Sequence, residues 1–250
     1  MRVKAVIAYR GEKFYGFQRQ KSTTQTVTQA IEEALISLHI DSPIVGSGRT
    51  DAGVHATGQV IHIDLPHFWI DTARLKDTLN SKLKYISFRA ISIVDESFHA
   101  RFSATRRIYR YIFSPQTVSI FHTDTIAHIP IVNIDKLREA LSEFEGRHDF
   151  SYFIKSGSET KDNIRTVYKS RLITRDHYHY IYMEGNGFLR AQVRMMIGAA
   201  LEVANDKISI EELRDQLRLR NIYTRKLVPP QGLYLAKVLY SGIDSKIIKI

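Results

Sequence analysis

The spacing of apolar positions along the chain predicts a regular alternation of strands and helices. Residues 2 to 10, RVKAVIAYR, set Val3, Ala5, Ile7 and Tyr9 against Arg2, Lys4 and Val6, the period-two pattern of a strand. TVTQAIEEALISL then brings Val27, Ala30, Ile31, Ala34, Leu35 and Leu38 onto one helical face, with Thr26 and Gln29 at the spacing of a capping box. QVIHIDL, residues 59 to 65, alternates again, DTARLKDTLNSKL from Asp71 predicts a second helix, and ISFRAISIV, residues 86 to 94, predicts another strand.

A second α+β run follows. RRIYRYIF predicts a strand with Tyr109, Tyr111 and Phe113 on one face and Arg106, Ile108 and Arg110 on the other. Residues 114 to 130 look loop-like, and DKLREALSEFEG predicts a helix through Leu137, Ala140, Leu141 and Phe144, stopped by Gly146. TVYKSRLIT and HYHYIYME predict antiparallel strands around a turn at Arg175 and Asp176. Residues 187 to 204 predict a long helix, Ser209 and Glu212 a capping box at the start of a last helix, and LYLAKVLY a closing strand. Hairpin-like strands mixed with helices favour α+β over a doubly wound sheet. The expected division is an N-terminal α+β domain over 1–104 and a C-terminal α+β domain over 105–250.

Charge and composition narrow the chemistry. The 250 residues carry a net charge of +10, which points to an anionic partner, with nucleic acid the first expectation. HARFSATRRIYRYIF, residues 99 to 113, concentrates Arg101, Arg106, Arg107 and Arg110 among aromatics with no acidic residue, so phosphates and base faces could both be met there. With no cysteine, thiol catalysis and thiolate zinc sites are excluded, and the composition suits a reducing compartment. No apolar stretch approaches the roughly 20 residues of a membrane span. MRVKAVIAYR lacks the continuous apolar run of a signal peptide, so a soluble, cytoplasmic protein is expected.

One stretch resists a structural explanation. VGSGRTDAGVHATGQV, residues 45 to 60, places Arg49 and Asp51 two residues apart among Gly46, Gly48 and Gly53, a composition suited to a tight or left-handed backbone path. It has neither the spacing of a P-loop nor that of a dinucleotide fingerprint. Asp51 alone could be an ordinary turn residue, and Tyr109 an ordinary core aromatic. Arg190 and Arg194, one turn apart on the predicted helix, could form a solvated basic face. Phe188, Val193, Met196 and Ile197 make that helix largely buried, and a buried arginine calls for a carboxylate partner. His55 lies four residues beyond Asp51 without the further ligands a metal site needs.

GRTDAGVH, residues 48 to 55, resembles the signature of the tRNA pseudouridine synthase A family. YRGEKFYGFQRQ, FHARFSATRRIYRY, GRHDFSYF, IRTVY, GNGFLRAQVRMMIG and QGLYL are similar to further family segments in the same order. The resemblance implies two α+β domains sharing an extended, mostly antiparallel sheet with a central basic cleft, in a homodimer. It implies isomerisation of uridine to pseudouridine in the anticodon stem-loop of tRNA, at tRNA positions 38, 39 and 40, without a cofactor or a metal. It makes Asp51 the catalytic aspartate, Arg49 its loop partner and Arg194 the arginine that pairs with Asp51. Tyr109 becomes the aromatic that stacks on the uracil, and Arg106, Arg107, Arg110 and Arg190 become substrate contacts. The chain departs from the family's usual residues at Arg10, where Asp is common, at Phe17, where Trp is common, and at Ala191, where a polar residue is common.

Isomerisation breaks the bond from ribose C1′ to uracil N1 and rejoins C1′ to C5, consuming nothing. A hydrolytic glycosidase generally uses two carboxylates, whereas an isomerase that excludes water can work with one. That carboxylate can attack C1′ or remove the C2′ proton, and both routes stay open at this point. Two other readings remain: a tRNA-binding chaperone with little or no turnover, and a nucleoside glycosidase, which would need a second carboxylate.

Overall fold

The computed structural model describes residues 1–131, 133–155, 157, 160 and 162–241. Along the chain these form β1 (Arg2–Tyr9), α1 (Val27–Ile36), β2 (Val45–Gly46), β3 (His55–Asp64), α2 (Thr72–Lys82), β4 (Ile86–Ile93), β5 (Ala104–Ser114) and β6 (Ala127–His128). They continue with α3 (Ile134–Ser142), β7 (Gly146–Asp149), β8 (Ile164–Arg175), β9 (Tyr178–Gly185), α4 (Gln192–Ala204), α5 (Ile210–Leu217) and β10 (Leu233–Tyr240). The tail SKIIKI lies outside the described residues.

The contacts divide the chain into two compact units, one of residues Met1–Thr105 with the chain from Tyr234, the other of Arg106–Leu233. The last strand, β10, belongs to the first unit and pairs in parallel with β3, Tyr234 opposite His55 and Leu235 opposite Ala56. Nothing local in LYLAKVLY specifies that partner, since strand pairing is a non-local contact.

In the first unit β1 lies between β3 and β4 and is antiparallel to both, while β2 pairs antiparallel with β3. Alternation delivers Val3, Ala5 and Ile7 of β1 to the core, joined by Ile61 and Ile63 of β3, Ile31 and Leu35 of α1, and Leu75 and Leu79 of α2. Thr26 Oγ1 accepts the Gln29 amide (3.2 Å), but the Gln29 side chain donates to Glu33 Oε1 (2.6 Å). The expected capping box is thus half formed: at position 29 an i,i+4 partner competes successfully for the side chain.

The second unit has the strand order β5, β9, β8, β7, with antiparallel pairing throughout, and β6 beside β5 in parallel. The β8–β9 turn sits at Asp176–His177, with Asp176 at φ 54°, close to the expected place. Helix α3 packs on α4 and β8. It ends at Ser142 rather than continuing to Gly146, which takes φ 112° and starts β7. The box at Ser209 and Glu212 is complete. Helix α4 begins at Gln192, five residues later than expected, because Ala191 is left-handed (φ 62°) and cannot continue a right-handed helix. Among the described residues no helix is long and apolar enough to cross a membrane.

Candidate active site

In the first unit the Arg49–Asp51 loop is fixed from both of its ends. Ser47 N–H donates to Val60 O (2.8 Å), Ser47 Oγ bonds Gln59 Oε1 (2.6 Å), and Gln59 Nε2 donates to Gly48 O (2.8 Å), tying the entry to β3. The exit is a turn in which Val54 N–H donates to Asp51 O (3.1 Å), with Gly53 at φ 79°, a conformation that favours glycine at the third turn position. Of the three loop glycines only Gly53 takes a positive φ. Gly46 instead makes room, since a Cβ there would lie 2.4 Å from the Phe17 ring.

The centre of the loop is pinned by the segment after β1. Thr50 is buried between its neighbours: its hydroxyl meets Tyr9 Oη at 2.8 Å, and its carbonyl accepts Phe17 N–H (3.1 Å). Pinning Thr50 leaves Asp51 half-buried and Arg49 exposed, with Arg49 Nη1 donating to Gln18 Oε1 (3.1 Å). His55 Nδ1 accepts Gly11 N–H (3.1 Å), and its ring stacks on Tyr234 at 4.7 Å. Gly11 passes so close that a Cβ would lie 2.1 Å from Val54 O. Arg10 pairs with Glu12 (2.6 Å), and Phe17 is buried, so both unusual residues are built into this segment. Nothing in the sequence marks Tyr9 and Thr50 as a pair, since nothing local links positions 41 residues apart.

In the second unit β5 carries the other candidates. Tyr109 is 8% exposed, opposite Met183, its ring edge-on to Phe188 at 5.3 Å and 88°. Arg106 forms an ion pair with Glu184 (2.6 Å) and lies over the Tyr168 ring at 4.7 Å, and the bond to Glu184 tightens its hold on its proton. Arg107 Nη1 donates to Asn186 O (2.9 Å), and Arg110 is half-buried opposite Tyr182.

The pair Arg190 and Arg194 needs correction as one turn of a helix. Arg190 precedes α4 and is exposed, with Ala191 between it and the helix, whereas Arg194 lies in the first turn and is half-buried. Arg194 Nε donates to Val228 O (2.9 Å). Nearby Tyr111 donates to Pro229 O (3.0 Å); burial raises its phenol above the ordinary range, opposed by the charge of Arg194.

Comparison with known proteins places the chain in a family. A family model described as tRNA pseudouridine synthase matches residues 5–103 and 140–241. The chain belongs to the tRNA pseudouridine synthase family. The matched residues of the family include Arg49, Asp51, Arg190 and Arg194, while Arg106, Arg107, Tyr109 and Arg110 fall in the stretch passed over. Family relatives named tRNA pseudouridine synthase A include one from Helicobacter hepaticus, 40% identical over 243 residues (95% of this chain, 98% of the relative). Another from Wolinella succinogenes is 37% identical over 239 residues (95% and 94%), and one from Lactococcus lactis subsp. lactis is 37% identical over 248 (96% and 97%).

Proposed function

We propose that the protein isomerises uridine to pseudouridine in tRNA, with Asp51 as the catalytic carboxylate. The observation that carries this reading is the clamped loop within a family match: Thr50 is held from Tyr9 and Phe17, fixing the backbone on which Asp51 is carried. Fixed geometry of this kind supplies orientation that a flexible turn cannot. Asp51 attacks C1′ or removes the C2′ proton, either of which frees N1 of uracil. The base then turns, and C5 bonds to C1′ as the Asp51–C1′ ester bond breaks or, on the other route, as the proton returns to C2′; the C5 proton leaves to water and N1 takes one up, so the product is an isomer of the substrate.

In this reading Arg194 is the arginine that pairs with the Asp51 carboxylate, and Arg49 takes the phosphate of the displaced nucleotide. Tyr109 stacks on the extruded uracil, which offsets the few kcal/mol that leaving a paired stem costs. Arg106, Arg107, Arg110 and Arg190 bind the tRNA backbone. The target is the anticodon stem-loop, at tRNA positions 38, 39 and 40, and the enzyme works in the cytoplasm as a homodimer.

Release of tritium from tRNA transcripts labelled at uridine C5 tests the reaction. Release matched by pseudouridine formation is expected with no metal or nucleotide added; tight tRNA binding without release would turn the reading to a chaperone. Free uracil would indicate a glycosidase. Sedimentation at micromolar concentration tests the dimer, for which a monomer would be the contrary result.

A further inference from the structure

The turn His99–Ser103 of the first unit has no part in the catalytic assignment, yet it is rigidly built and ends in an exposed aromatic. His99 Nδ1 accepts the backbone N–H of both Arg101 and Phe102, each at 3.2 Å. Ser103 closes the turn from the other side, its Oγ accepting His99 N–H (3.0 Å) and its own N–H donating to His99 O (2.9 Å). The His99 ring packs on Phe102 at 4.3 Å and on His62 at 5.0 Å, and His62, itself buried, accepts Ala100 N–H (3.1 Å). All this order supports a phenylalanine that is 76% exposed.

Exposed phenylalanines alone mean little, and this chain has others at Phe68 and Phe121. Charge separates them. Arg101 places its guanidinium 5.5 Å from the Phe102 ring centre, the only such cation over a phenylalanine ring among the described residues. No lysine or arginine occurs between positions 65 and 73 around Phe68, or between 115 and 126 around Phe121. An aromatic face beside a guanidinium suits one ligand class well: a nucleotide whose base stacks on the ring while its phosphate meets the cation. Because the turn is ordered by its own hydrogen bonds, little conformational freedom is left to lose on binding.

We infer that Arg101 and Phe102 form a second RNA-contact point, at which Phe102 stacks on an unpaired base of the tRNA and Arg101 holds an adjacent phosphate. This rests on the proposed action on tRNA and adds a contact to it. Stacking of this kind does not read sequence, so the contact serves affinity and placement of the tRNA.

The test is binding of an unmodified tRNA transcript to the full-length wild type, Phe102→Ala, Phe102→Tyr and Arg101→Gln, with tritium release measured on the wild type. Phe102→Ala is expected to weaken Kd by about tenfold, within the range of base–aromatic stacking, and Phe102→Tyr to keep it within about twofold because a ring remains. Arg101→Gln should lower the slope of log affinity against log salt by about one. Thermal unfolding of the variants should match wild type, since both side chains are exposed. Unchanged Kd for Phe102→Ala, in a wild type that binds and converts tRNA, would overturn the contact alone. Loss of self-association at unchanged Kd would also overturn it, making the turn a protein contact. A wild type that neither binds nor converts tRNA would overturn the proposed function as well.

Discussion

The Arg49–Asp51 loop and the basic strand β5 both present arginines, but they are held by different means. The loop is fixed through backbone groups and close packing: Thr50 O and Oγ1 are bonded, Gly48 O is bonded, and Gly11 leaves no space for a side chain against Val54. On β5, Arg106 and Arg107 are held at their tips, one by a carboxylate and a ring, the other by a carbonyl. A group that must meet one carbon atom of the substrate needs its backbone placed. A group that meets a phosphate needs charge and reach, and tolerates movement. This contrast predicts sharp, kcat-centred losses around the loop and graded, salt-dependent losses on the strand.

Among residues other than the carboxylate itself, the largest effect should come from Gly11→Ala. A Cβ placed 2.1 Å from Val54 O must push the segment away from the loop, costing about 1–3 kcal/mol of stability and about 100-fold in turnover if the carboxylate moves by about 1 Å. Tritium release with thermal unfolding measures both, and wild-type turnover would break the idea that this contact sets the loop.

Tyr9→Phe is a milder version. It removes one partner of a buried hydrogen bond while Thr50 stays in place, at a cost of about 1–3 kcal/mol. The expected fall in kcat is about tenfold, as would follow if about 1.4 kcal/mol of that cost appears in the transition state, with KM little changed. A rise in KM at constant kcat would assign Tyr9 to binding instead.

On the strand, Arg107→Gln should reduce the salt slope of tRNA binding by about one, and Arg106→Gln by less, because Glu184 already shares the charge of Arg106. Equal slopes for the two would remove that distinction. The smallest effect concerns pH. Burial foremost, then the charges of Arg2 and His99, hold His62 below the ordinary histidine value. The folded state therefore prefers it neutral, while the unfolded chain takes up the proton near pH 6.5. More protons are bound unfolded in that window, so stability falls as pH drops below about 6.5 and is restored above it. His62→Gln should flatten part of this fall in a thermal-unfolding series; an unchanged slope would exclude His62 as its source.

What could be read from sequence follows the range of the forces involved. The cap at Ser209 with Glu212 acts within one turn, and the alternation of β1 and β9 is written in consecutive residues, so these elements stand where the pattern predicts. The start of α4 depends on the backbone twist at Ala191, a residue with no intrinsic preference for it, and the parallel partner of β10 is chosen by tertiary packing. Short β7, Gly146–Asp149, has no apolar alternation to reveal it. At the candidate site the motif exposed Arg49 and Asp51, while the pin from Tyr9 to Thr50 and the bond from Gly11 to His55 join distant positions and appear only in the fold.

Asp51 is proposed to carry the chemistry, while other residues carry the affinity. Single-turnover tritium release and tRNA Kd, measured together on wild type and Asp51→Asn with saturating enzyme, test it most directly. Release should fall by at least about 1,000-fold in the variant, with Kd within a few-fold of wild type; release at the wild-type rate from the Asp51→Asn enzyme would rule out that role for Asp51.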